Sequence, residues 1–265
     1  VTDERGPLKH LFAGGTGSGK STAANRQFED YYRQSVADSG RDFKCLDYVD
    51  LGEGENVCYD LPQSQNALKH ARENLDLPPS FEEIEGFEPE MEVFVPLTPG
   101  VENYSFSYDT ESEEFVPTPF TIPASDLSEE LLATIISEHV SPKEEQTIRD
   151  AYVSVDKEID DWCLDDLASE IKRREDLTDN HKKDAIRVIR RLQSMSFIRT
   201  HADGRTLEWS ETFRDTETIT VFSEAHCETE LAQLIVVCYL LENHYHQYRR
   251  KYYPDAVVWL RELWE

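Results

Sequence analysis

The run Gly14-Gly15-Thr16-Gly17-Ser18-Gly19-Lys20-Ser21 constrains this chain more than any other stretch. It satisfies the P-loop pattern G-x-x-x-x-G-K-[ST] at every fixed position. Leu8 to Ala13 before it reads as a short buried strand, and Thr22 to Val36 after it reads as a helix. A strand, a Gly-rich loop and a helix in that order commit this part of the chain to an α/β unit. The reason lies in the backbone. Glycines let it curl until successive N–H groups point at one centre, and the helix N-terminus behind them adds partial positive charge. Such a loop holds phosphate oxygens. In this pattern Gly14, Gly15, Thr16, Gly17, Ser18, Gly19 and Thr22 line the cradle, and Lys20 reaches the β- and γ-phosphates. The Ser21 hydroxyl is a ligand for Mg²⁺. The expected cofactors are ATP and Mg²⁺.

With 265 residues the chain is long enough for one large α/β domain carrying an inserted lobe. Its charge is extreme: 54 acidic against 27 basic side chains, a net charge of −27, with only 10 of the basic residues Lys. Acid spread over a folded chain repels itself in dilute buffer and is screened in brine, which points to a protein of a high-salt environment. The same acidity argues against a broad basic surface for nucleic acid but leaves room for a local one. Five cysteines, odd in number and without a C-x-x-C pair, fit a reduced intracellular chain, so a cytoplasmic location is expected. The longest apolar stretch, Leu231 to Leu241, is interrupted by Gln233 and is too short to span a bilayer. The start at Val1 and the end at Glu265, just after an apolar run, suggest a piece of a longer protein.

Three regions follow from the patterning. In 1–123, Phe43 to Asp50 reads as a second strand, followed by a turn at Gly52-Glu53-Gly54-Glu55. Asn66 to Asn74 reads as a short helix, and Met91 to Pro96 as a third strand. Leu97 to Pro123 is a long excursion with short extended pieces. In 124–200 every segment has helical period, which predicts an inserted helical lobe. Asp126 with Glu129 resembles a capping box, and Ser141-Pro142-Lys143-Glu144 is a cleaner helix start. Ile148, Tyr152, Val155 and Ile159 continue that helix; Leu164, Leu167 and Ile171 mark the next, and Asp179 to Gln193 a fourth. In 201–265 the chain returns to the core with a strand at Thr218 to Phe222, a long helix from Glu228 to Lys251, and a last strand at Ala256 to Leu260.

A P-loop alone binds phosphate; hydrolysis also needs an acid near Mg²⁺ and a base that positions water. The last strand, Val257-Val258-Trp259-Leu260-Arg261-Glu262, offers Glu262 as that base. The layout resembles the HerA/FtsK superfamily of P-loop ATPases, including conjugation-type, packaging and virus-encoded members. Asp50-Leu51-Gly52-Glu53 is similar to a D-x-x-G-E element of that family but one residue shorter, and Thr218 to Leu263 is similar to its strand, long helix and Walker B strand. The resemblance implies a P-loop NTPase core of the ASCE/RecA-like kind, with a mostly parallel sheet and an inserted helical lobe. It implies a hexameric ring that moves DNA with ATP, here in a halophilic archaeon or its virus. Lys20 and Glu262 would be catalytic. Arg261 stands where the family carries an acid, so Mg²⁺ falls to Ser21, with Asp50 or Glu53 acting through water. The family also carries strands after Walker B, which this sequence does not reach.

Two other functions share the P-loop: a nucleotide or small-molecule kinase with the helical lobe as lid, and an ATP-gated assembly module that binds without turnover, suggested by Arg261. Lys182, Lys183, Arg187, Arg190 and Arg191 cluster on one predicted helix with Lys172, Arg173 and Arg174 nearby. They either face DNA or an acidic neighbour, or form a solvated face paired with Glu175, Asp176 and Asp184. Arg249, Arg250 and Lys251 suit the end of the long helix. His226-Cys227 and His244-Tyr245-His246 lack metal-site spacing.

Overall fold

The computed structural model describes residues 43–49, 90–100, 117–137, 140–202, 204–212, 218–223, 229–249 and 255–261, with the short pieces 106–107, 114–115 and residue 227. It is a mixed α/β structure around a small parallel sheet. Five strands make that sheet: β1 (Phe43–Val49), β2 (Glu90–Pro96), β5 (Thr118–Phe120), β8 (Thr218–Ser223) and β9 (Asp255–Arg261), in the order β5-β2-β8-β1-β9. Every pairing in it is parallel. The strands predicted from Phe43, Met91, Thr218 and Ala256 are all present. Within the excursion after Leu97 lie β3 (Phe106–Ser107) and β4 (Glu114–Phe115), which pair with each other, and β5, which edges the main sheet.

The sequence of β8, Thr-Ile-Thr-Val-Phe-Ser, is buried throughout, as a strand covered on both faces must be. Alternation divides its side chains. Ile219 and Val221 share one face, while Phe222 lies on the other and stacks on Phe94 of β2 at 5.6 Å between ring centroids. Phe120 of β5 meets the same ring edge-on at 6.3 Å.

The helical region begins with β6 (Ile122–Pro123) and a 3₁₀ turn, Ala124–Asp126. Four helices follow: α1 (Glu129–Ser137), α2 (Pro142–Glu158), α3 (Leu164–Arg173) and α4 (Asp179–Gln193). The chain returns through β7 (Ile198–Arg199), which pairs in parallel with β6; Ile122 N–H donates to the Phe197 carbonyl at 2.7 Å. A short α5 (Trp209–Thr212) leads back to the sheet. The capping box at Ser141 is present: the Glu144 N–H donates to Ser141 Oγ at 3.4 Å, and the Ser141 N–H to Glu144 Oε2 at 2.7 Å.

Two local expectations are corrected. Asp126 does not cap α1. Ser128 does, its Oγ accepting from the Leu131 N–H at 3.0 Å, so Glu129 stands in the first turn rather than at the third position. Ile159 does not continue α2 but is its C-cap and is exposed, because the chain turns there toward α3.

The long helix, α6 (Glu230–Arg249), joins sheet to lobe. Leu231, Ala232, Ile235, Val236, Tyr239 and Leu240 are buried in the same apolar core as α1 to α4 and Phe222. Val237 is buried outside that stripe, so α6 is enclosed on more than one side. Among the described residues no helix is long and apolar enough to cross a membrane.

Candidate functional site at the carboxyl edge of the sheet

In open parallel sheets ligands bind outside the carboxyl ends of the strands. At that edge three neighbouring strands finish level. Val49, the last residue of β1, is in register with Ser223, the last of β8, and with Arg261, the last of β9. Neighbouring strands lie about 4.8 Å apart, so these three backbones form one short, even rim. Ser223 is fully buried there, a polar side chain that the sequence alone does not single out, since in isolation it reads only as the end of a strand.

The register has a consequence for the expected site. Asp50 follows Val49 in the sequence, and Glu262 follows Arg261. The two strands that precede these carboxylates are therefore adjacent and of matched height, although more than two hundred residues separate them. Gly14 to Thr22, with Lys20 and Ser21, lie outside the described residues, as do Asp50, Glu53 and Glu262 themselves. Arg261 is the terminal residue of β9. Among the described residues no group of three or more His, Cys, Asp or Glu side chains is arranged to hold a metal ion.

Behind the sheet, a polar clasp that sequence reasoning missed fastens the base of the helical region. His201 Nε2 donates to Asp126 Oδ1, and the Tyr239 hydroxyl points at Asp126 Oδ2 at 3.5 Å. Asp161, in the loop between α2 and α3, accepts from the His201 N–H at 2.9 Å and from the Ala202 N–H at 3.4 Å. Burial first, then the Asp126 charge, pushes the Tyr239 phenol far above its ordinary range, so it stays a neutral donor. Tyr152 is pushed up to about 12, by burial and then by Asp156, and its hydroxyl donates to the Leu127 carbonyl at 2.9 Å. His244 on α6 is shifted the other way, down to about 4, because burial disfavours the imidazolium.

The basic cluster forms one face of α4. Lys183, Arg187, Arg190 and Arg191 are all exposed, at spacings that place them along one side of the helix. Arg187 reaches Asp184 at 3.7 Å, and Lys182 donates to the Lys172 carbonyl at 3.1 Å. Asp176 is taken by Arg174, at 3.1 Å. Of the acids expected to pair with this cluster, Asp176 meets Arg174 and Asp184 meets Arg187, while Lys183, Arg190 and Arg191 are left without one among the described residues. No protein-family model matches the chain, and the comparison with curated proteins finds no relative.

Proposed function

We propose that the chain is the ATP-binding and hydrolysing part of a motor of the HerA/FtsK type, a P-loop NTPase core that translocates or packages DNA as a homo-oligomeric ring. The observation that carries this reading is the level ending of β1 and β9 in an all-parallel sheet, since Asp50 and Glu262 come next in the sequence after those two ends. The P-loop sequence supplies the other half. The N–H groups of Gly14 to Gly19 would cradle the phosphates, Lys20 would neutralise them, and the Ser21 hydroxyl would hold Mg²⁺, with Asp50 or Glu53 assisting through water. Glu262 would orient the attacking water. When bound, Mg²⁺ supplies charge neutralisation on the phosphates; the protein's part is positioning and electrostatic stabilisation, with no covalent step.

The test is ATP hydrolysis by the protein in molar KCl, with and without double-stranded DNA, beside Lys20→Ala. DNA-stimulated turnover that disappears in Lys20→Ala supports the motor. ATP binding without turnover, or turnover indifferent to DNA, counts against it.

Arg261 favours a second reading, an ATP-gated assembly module, because a cation ends the strand where hydrolysing relatives of the resembled family carry an acid. Under it, Arg261→Asp creates or raises hydrolysis; an unchanged rate removes this reading.

A further inference from the structure

A groove of about 280 Å³ opens between α1, α4 and the first turn of α6. Ile135 of α1, Val188 and Leu192 of α4 and Leu231 of α6 form its floor, and Arg187 and Arg191 stand in its wall. The floor is wholly apolar. The volume is below the roughly 300–1,000 Å³ of sites for drug-sized ligands, and suits one or two inserted side chains.

The charge around it is unusual for this molecule. In a chain of net charge −27, the arginines of α2 and of the end of α3 are engaged by carboxylates: Arg149 by Glu129 and Glu145, Arg173 by Glu170, Arg174 by Asp150 and Asp176. In the groove wall, Arg191 has no carboxylate partner among the described residues and Arg187 has a single distant one; Lys183 and Arg190, exposed on the same helix, have none among the described residues either. The helix dipole accounts for Arg190 and Arg191 in the last turn of α4, but its effect does not extend to Lys183 and Arg187 near the helix middle.

We propose that this groove docks an acidic, apolar protein segment: one apolar side chain seats on Val188, Leu192 and Leu231, and carboxylates flanking it meet Arg187 and Arg191. The charge pattern selects the acidic partner, and the apolar floor supplies the anchor that a phosphate backbone has no use for. The inference does not depend on nucleotide hydrolysis.

The test uses the intact chain at the lowest KCl concentration that keeps it folded, since screening weakens rim charges. The probe is a fluorescent synthetic helical peptide with Leu at every third or fourth position and Glu between. Two control peptides replace Glu by Gln, or Leu by Ser, and a labelled DNA duplex is the third comparison. The expected result is saturable binding of the Glu/Leu peptide, weakened at least about tenfold in both control peptides and in the Arg187→Glu/Arg191→Glu protein. Both arginines are exposed, so the double variant keeps its fold, which its thermal unfolding checks. No binding of the Glu/Leu peptide, equal binding by the double variant, or DNA binding in place of peptide binding would each overturn the proposal.

Discussion

His201 Nε2 and Asp126 Oδ1 lie 2.8 Å apart across 75 residues of sequence, closing a contact between the start of the helical region and the segment that leaves it. The carboxylate can only accept, so the proton sits on Nε2. Asp161 then holds the same leaving segment by its backbone. The 3₁₀ turn after β6, the loop between α2 and α3 and the turn after β7 are thus joined by two aspartates and one histidine, beside the β6–β7 pairing.

Asp161→Ala removes the acceptor of two backbone N–H groups at once. Both are at the surface, where water partly replaces the lost bonds, so the expected cost is about 1–2 kcal/mol in chemical denaturation. Asp161→Asn keeps one acceptor oxygen and should recover part of that loss.

Phe222 is where sheet, α5 and α6 meet. It stacks on Phe94 and touches Phe120 and Trp209, and Trp209 in turn lies 5.9 Å from Tyr239. Phe222→Ala should destabilise the protein by about 3–5 kcal/mol, and Phe222→Leu by distinctly less. A thermal unfolding series in constant salt measures both.

Gly204 has no room for a side chain. A β-carbon there would lie 2.9 Å from the Thr200 carbonyl oxygen and would run into the Thr121 side chain. Gly204→Ala is expected to cost about 1–3 kcal/mol through overpacking. Thr121→Ser leaves the hydroxyl conflict in place, whereas Thr121→Ala removes it. The double variant Thr121→Ala/Gly204→Ala should therefore be more stable than the sum of its parts predicts, and a double-mutant cycle reads that coupling.

His244 makes stability pH-dependent in a defined window. Its folded value, about 4, is below the ordinary 6.5, so the unfolded chain takes up the proton first. Stability from this group is complete above pH 6.5 and falls as pH drops toward 4, by roughly 3 kcal/mol in all. Stability curves for the protein and His244→Gln should converge as pH falls through this window. Parallel curves would show that His244 titrates alike in both states.

Local chemistry was readable where a few neighbouring residues decide the outcome. Ser141, Pro142 and Glu144 announce a helix start because capping is settled within one turn, and β8 announces itself by a run that only a doubly covered strand carries. Asp126 misled for the same local reason: Ser128 is nearer the first free N–H groups of α1 and won the competition, leaving Asp126 for His201. The level ends of β1 and β9 have no local sign, since strand pairing depends on how the whole sheet assembles. The groove beside α4 is equally silent in sequence. Its floor residues come from three helices and each reads as ordinary core. The P-loop is the plainest motif in the chain, yet it and Glu262 fall outside the described residues, so the proposed nucleotide site rests on sequence, and the register of β1 and β9 bears only on where the chain leaves the sheet before Asp50 and Glu262.

The parallel pairing of β6 with β7 has a mechanical meaning. The chain runs into the helical region and out of it in the same direction, at neighbouring points. A pull applied between Thr121 and Thr200 therefore loads the β6–β7 hydrogen bonds in shear, and with them the Thr121 N–H bond to the Arg205 carbonyl at 2.9 Å. While these hold, tension passes from one side of the sheet connection to the other without drawing on α1 to α4. The helices then feel that load only through the apolar core they share with α6 and Phe222.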